Sequence, residues 1–379
     1  MASGQVRIEP VSGRSGIDEF IDLQFRLYRD DPLWVEPLKH PLRKLLTPGQ
    51  HPFFEHAEVQ HFMARDSSGS AVGRVSAVVN RAHNEYHSDS TGFFGFLEGV
   101  RDREVFAGLL DAAAEWVGAR GMDSLRGPVN YSTNEETGLL VKGFDSSPVV
   151  MMTYNPRWYA EMLEQAGMTK AADLLAYRVD RDTLRSERFG RIAKLVSKRS
   201  GAVCRPMDMR HFREEVAIIR SIYNECWKHN WGFVPMTDRE FDQMSRELRT
   251  VLIPDFAPIV EVAGEPVAFA AAVADANQAV RGSGGSMLRA LLRLKVPPFR
   301  VRPDGMRVLL LGVRESHRRS GLECLLIDRI VGAGLGRGYD WAELSWVLEQ
   351  NTAMRSILEN DLGAVPYKTY RIYERPIRS

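Results

Sequence analysis

Cysteine is scarce: Cys204, Cys226 and Cys324 are three in 379 residues, odd in number and far apart. That spacing excludes a disulfide framework or a cysteine-ligated zinc site, and the three read as buried thiols in a reducing compartment. Charge of one sign is lacking too, since 50 basic against 49 acidic residues leave a formal +1. Nothing in that balance points to nucleic acid as a partner. No apolar run approaches the roughly 20 residues a membrane-spanning helix requires, and the N-terminus MASGQVRIEPVSG has no apolar signal segment. A cytoplasmic location is the expectation. Walker-type loops, serine-hydrolase elbows and zinc-protease motifs are absent. His83 and His87 share a helical face without a third ligand, while His51, His56 and His61 are five apart and off one face, so no metal is expected.

What is present is an ordinary globular composition, 44% hydrophobic and 26% charged, in a chain long enough for two cores. Two stretches share an order of elements. In the first, a helix over 17–29 precedes a strand pair, 58–64 and 71–80, around the turn Asp66-Ser67-Ser68-Gly69. Strand 92–97, helix 103–120, a short strand near Ser124, the polar loop 130–136 and a helix over 156–165 follow. The second stretch runs through helices 212–227 and 238–249, a hairpin of 259–262 with 266–273, strand 307–313, helix 322–335, strand 341–347, helix 351–360 and strand 367–373. This order predicts two α/β lobes, 1–180 and 200–379, joined through the charged segment 180–200 and interrupted by an insertion at 277–304.

The segment 309–335, LLLGVRESHRRSGLECLLIDRIVGAGL, carries the chemistry. An apolar strand ends at Val313, a basic turn follows, and Gly321 opens an apolar-periodic helix. A helix start presents unpaired N–H groups and a partial positive end, which suits an anion such as a diphosphate. Arg314, His317, Arg318 and Arg319 add positive charge, and Gly321 lets backbone approach closely. The alternative is a basic helix cap in an ordinary α/β domain.

Val313 followed by Arg318-Arg319-Ser320-Gly321-Leu322-Glu323 resembles the Arg/Gln-x-x-Gly-x-Gly/Ala loop of GCN5-related N-acyltransferases. Downstream, Glu343-Leu344-Ser345-Trp346 with Asn351, Met354, Leu358 and Leu362-Gly363 resembles that family's next strand and helix. The resemblance implies tandem lobes, each a mixed, mostly antiparallel sheet flanked by helices. It also implies acyl-coenzyme A as donor, held by Leu311, Gly312, Val313, Arg318, Arg319, Ser320, Gly321, Leu322 and Asn351. Two departures stand out. Glu323 occupies a Gly/Ala position, where its carboxylate would repel a diphosphate, and Leu358 lies near the position of a tyrosine that protonates the departing thiolate. Gly92-Phe93-Phe94-Gly95-Phe96-Leu97-Glu98, Tyr154-Asn155-Pro156 and 367–375 are similar to two-lobed members that include bacterial ceramide synthases. The implied reaction moves an acyl group to an amine, with a long-chain sphingoid amine as one acceptor.

An amine of ordinary pKa, about 10.4, is neutral in roughly one molecule in a thousand at pH 7, so a base is needed. Glu349 and Glu343 are the candidates, Glu349 preferred because strand ends open toward ligand crevices in such sheets, and each also reads as a solvated or structural carboxylate. Tyr370 is a candidate acid or a packed aromatic. Trp227, Asn230, Trp231 and Phe233 could line an acceptor channel or close the core, and Asn134 sits in the polar loop of a first lobe that lacks the glycine-rich turn. In the insertion, residues 286–296 put Arg289 and Arg293 one turn apart beside an apolar face, with no acid from 277 to 303. Such a segment can lie peripherally on the inner face of a membrane, cover an acyl-chain tunnel or pack as a plain surface helix. Two other functions fit a doubled architecture: an aminoacyl or peptidyl transferase, and a binding module for acyl-coenzyme A without turnover.

Overall fold

The computed structural model describes residues 6–249 and 252–377. The chain forms two compact units: 1–174 with 279–300 and 368–379, and 175–278 with 301–367. The units therefore do not follow a single cut in the chain. Most of the insertion and most of the last strand group with the first unit, and the segment 180–200 is no plain linker. Residues Glu187–Ser200 form a helix whose Phe189, Ile192, Ala193 and Val196 are packed into the cores of the second unit. Its dense charge obscures that apolar stripe in the sequence.

In the first unit the strands Arg7–Pro10, Ala57–Arg65, Ala71–Asn80 and Thr91–Gly99 pair antiparallel in that order. Asp66 Oδ1 accepts from the N–H groups of Ser68 and Ser70, fixing the turn between the second and third strands. Strand Ser124–Gly127 then pairs parallel to Thr91–Gly99. A parallel neighbour needs a crossover, and helix Arg103–Gly118 supplies it. Val105, Phe106, Leu109, Leu110, Ala113 and Val117 recur at helical spacing and are buried against Val75, Ala77, Phe94 and Leu125. Each large side chain so buried contributes about 1.5–3 kcal/mol.

The second unit repeats the plan. Strands Val203–Arg205, Ile259–Val262, Glu265–Ala274 and Gly305–Val313 pair antiparallel, and Trp341–Leu348 then pairs parallel to Gly305–Val313 after the crossover helix Leu322–Arg337. Helix Phe212–Trp227 contributes to a separate core with Ile259 and Phe269. The parallel ladder stops at Val308 opposite Leu344. At that point the antiparallel register slips, because Ala271 pairs with Leu310 and Ala272 with Val308, leaving Leu309 as an extra residue. A bulge bends its strand and changes which residues face which side. Met306 and Val308 before it, and Leu311 and Val313 after it, all pack with Leu322, Leu325 and Leu326 of the crossover helix, whereas Leu310 joins the core of helix Phe212–Trp227.

Candidate active site

From Leu309 onward the edge of strand Gly305–Val313 that faced Trp341–Leu348 is no longer in the ladder, while its other edge stays paired to Glu265–Ala274. Both splayed ends, 309–313 and 344–348, border a cavity of about 950 Å³ within the second unit. Backbone donors and acceptors on such an edge need partners, and a ligand amide can supply them.

The helix that closes the cavity begins at Leu322 behind Gly321, which has φ +81° and provides no side-chain cap. A Cβ at Gly321 would also lie 2.9 Å from Val196, so glycine is required twice here. The first-turn N–H groups are thus left without a capping side chain. Around them, Arg318 reaches the carbonyl of Cys226 at 3.2 Å and Glu315 at 3.8 Å, and Arg319 has no ion pair among the described residues. Arg314 differs from expectation. Its guanidinium is engaged by Glu225 and Ser221, so it is tied to helix Phe212–Trp227. Lys228, hydrogen-bonded to Glu315, holds that carboxyl below the usual range.

Of the residues singled out for the donor, Leu311, Gly312, Val313, Arg318, Arg319 and Asn351 border the cavity. Ser320, Gly321 and Leu322 shape the turn instead. Ser320 donates to the carbonyl of His317, and Leu322 is buried in the core. Gly312 has a packing reason, since a Cβ there would meet Trp227 at 2.7 Å. Asn351 caps the helix Thr352–Ser356, accepting from the Met354 N–H at 3.1 Å. Glu323 and Leu358 border the cavity as well. Trp227, Asn230 and Trp231 line it from the other side, whereas Phe233 is buried in a core. Asn134 lies in the first unit, where its N–H donates to Ser132 Oγ. Tyr370 also belongs to the first unit and is 0% exposed.

The two glutamates separate clearly. Glu349 follows strand Trp341–Leu348, and its carbonyl accepts from Arg355. Glu343 is 0% exposed and sits within a polar cluster: Ser345 Oγ donates to it at 2.6 Å, Tyr367 donates from its hydroxyl, and Arg307 Nε lies 3.9 Å away while donating to Ser345 at 2.9 Å. Neither glutamate borders the cavity, but Ser345 does. Ser345, Arg307 and Tyr367 were not singled out from the sequence as site residues. The signal was present, however, in a lone arginine inside the apolar run GMRVLLLGV and the alternation Glu343, Ser345 on a neighbouring strand.

The cavity also exposes a thiol. Burial pushes Cys226 up to about 11, so it stays protonated at neutral pH. Among the described residues no group of three or more His, Cys, Asp or Glu side chains is placed to hold a metal, and no helix is long and apolar enough to cross a membrane.

No family model matches the chain. It is 35% identical over 387 residues to the protein YghO of Escherichia coli, covering 100% of this chain and 97% of that protein. It is also 35% identical over 391 residues to the bacterial ceramide synthase of Caulobacter vibrioides, covering 99% and 98%. Among solved structures, a tandem GNAT protein from the clavulanic acid biosynthesis pathway superposes with a TM-score of 0.59 at 11% identity, with 99% of both chains covered. A GCN5-related N-acetyltransferase from Sphaerobacter thermophilus gives 0.54 at 13% identity over 98% of this chain and 96% of that one. A bulge-splayed parallel pair, an uncapped helix start beside it and full-length identity at this level make the chain a member of the family that includes the bacterial ceramide synthase, built on the tandem GCN5-related N-acetyltransferase fold.

Proposed function

We propose that the protein is an N-acyltransferase that takes a long-chain acyl group from acyl-coenzyme A and transfers it to a long-chain amine of the sphingoid type. The observation that carries this reading is the coincidence, on one cavity, of an open strand edge from Leu309 and a helix start with no capping side chain. Leu311, Gly312 and Val313 would hold the pantetheine amides, and the turn at Arg318 and Arg319 with the helix start would hold the diphosphate. The donor supplies an activated thioester; the remaining chemistry falls to the chain. Ile327, Ile330, Val331 and Leu335 extend the cavity as an apolar wall, which suits a long acyl chain better than an acetyl group. The name of the Caulobacter relative supports a sphingoid acceptor.

An ammonium acceptor must lose a proton before it can attack. Ser345 stands at the cavity and donates to Glu343 behind it, so a proton received at Ser345 Oγ is matched by one passed to the carboxylate, with no charge left on the serine. Arg307 and Tyr367 orient that pair. Direct attack is favoured over an acyl-cysteine because Cys226 is held as the neutral thiol. The departing thiolate, of ordinary thiol pKa about 8.5, takes the second proton that the nitrogen sheds on becoming an amide, carried by water, since Leu358 offers none.

Glu323 on the cavity wall favours a second reading, a module that binds the donor without turnover. Incubation with acetyl- and palmitoyl-coenzyme A and a sphingoid amine, read by free thiol and by mass spectrometry of the product, separates the two. Thiol release that needs both the long donor and the amine is the expected result. Donor binding without product would establish the module, and failure of both donors to bind would remove the site. Glu343→Gln and Ser345→Ala should each lower kcat about 100-fold with little change in KM.

A further inference from the structure

The insertion leaves an unusual surface. Of the ten large hydrophobic residues that are exposed among those described, six lie between 287 and 299: Met287, Leu288, Leu291, Leu292, Val296 and Phe299. Leu288 is 68% and Phe299 64% exposed. They are concentrated on helix Met287–Lys295, whose buried residue is Ala290 alone, and on the turn after it. The helix is not loosely attached. Gly285 is tucked where a Cβ would meet Phe25, Lys39 and the carbonyl of Pro37 at 2.7–2.9 Å, its carbonyl accepts from Lys39 N–H, and the Gly284 N–H donates to Glu36. Its first turn is capped by Ser286, which accepts from the Arg289 N–H.

Leu288, Leu291 and Leu292 fall at i, i+3 and i+4 and form one stripe. Arg289 and Arg293 stand to one side of it, Arg293 donating to the Ala279 carbonyl at 3.0 Å, Lys295 ends the stripe and Arg300 follows Phe299, with no acidic residue from 277 to 303. We propose that this helix and Phe299 dock the protein on an anionic phospholipid bilayer, the apolar stripe entering the headgroup boundary while the cations meet lipid phosphates. The charge pattern decides between occupants. A second copy would bring the same cations face to face, and one nine-residue helix face is far smaller than the roughly 800 Å² per partner of a stable interface. The proposal stands on the insertion alone, goes beyond acyl transfer, and holds whether or not the second unit turns over.

The test is co-sedimentation of the full chain with vesicles of equal parts phosphatidylglycerol and phosphatidylcholine, against phosphatidylcholine alone, with sedimentation velocity in parallel. Binding to the anionic vesicles, weakening with salt and at least tenfold weaker to neutral ones, is expected. Leu288→Ser with Phe299→Ser, both at exposed positions, and separately Arg289→Glu with Lys295→Glu, should each reduce it by tenfold or more. Absence of wild-type binding, equal binding to both vesicles, or a dimer that Leu288→Ser dissolves would each overturn the assignment.

Discussion

The two units build the same strand, helix, strand crossover and finish it in opposite ways. In the first, the strand Thr91–Gly99 also slips register, from Arg74 opposite Glu98 to Ser76 opposite Gly95, with Phe96 at φ +49°. There the chain fills its own gap. Asn130 Oδ1 accepts from the Phe96 N–H at 2.7 Å, and a Cβ on Gly95 would lie 1.9 Å from the Val129 carbonyl. Just beyond, the Glu98 carboxylate is buried beneath the hydroxyls of Tyr28 and Tyr159, and that burial raises its pKa. The following helix starts at Arg103 with Asp102 accepting from the Glu104 N–H at 2.8 Å. In the second unit the corresponding helix start has no such cap and the strand edge borders a cavity. A shared topology thus leaves a cavity at the splayed strand only in the unit whose chain does not fill the gap with its own side chains.

That contrast breaks most sharply at the helix starts. Arg319→Glu and Gly321→Trp should each weaken donor binding by about 100-fold or more in titration calorimetry with coenzyme A; Arg319 is exposed, so its variant folds even if the glycine variant does not. Asp102→Ala should leave donor affinity alone and cost about 1 kcal/mol of stability, the ordinary worth of an N-cap. Equal loss of affinity from Asp102→Ala would mean the wrong unit holds the donor.

The next largest effect is on stability. His61 of the first unit is depressed to about 4, chiefly by burial, and its ring contacts Ser76 Oγ and the Leu46 carbonyl. A depressed folded pKa means that stability is complete above the unfolded value near 6.5 and is lost as pH falls toward 4, on the order of 3 kcal/mol in all. In the second unit His211, His229 and His317 are not buried. Unfolding midpoints between pH 7.5 and 4.5 should therefore drop more in the wild type than in His61→Gln; identical pH dependence would show that His61 does not set it.

Much of this contrast was legible in the sequence, for physical reasons that also mark its limits. Apolar periodicity placed helix Phe212–Trp227 to the residue and the turn at 66–69 between its strands, because local chemistry determines both. The basic turn before Gly321 was legible as well. Pairing was not, since the extra residue at Leu309 shows only in register against Ala271 and Ala272. Nor was the engagement of Arg314 by Glu225, or of Glu343 by Tyr367 and Ser345, because these partners come from distant segments or a neighbouring strand. The strands Leu139–Lys142 and Thr169–Asp180 escaped for a related reason: their identity depends on the neighbours they pair with.

The smallest expected effect concerns the cysteines, all three of which fall in the second unit. Cys226 borders the cavity, so a covalent route through an acyl-cysteine is geometrically open, and the open unit would then use a nucleophile that the filled unit lacks altogether. Its protonation argues otherwise. With the thiol pushed up to about 11, only on the order of one in a thousand is thiolate at pH 8, and the flanking Arg318 does not offset the cost of burial. Cys226→Ala should therefore keep the transfer rate within about threefold, and alkylation of the wild-type thiol should accelerate steadily as pH rises toward 11. An acyl group trapped on Cys226 in a rapid-quench digest would reverse that conclusion. The distinction between the units would then rest on a nucleophile, and the open strand edge would serve only to hold the donor.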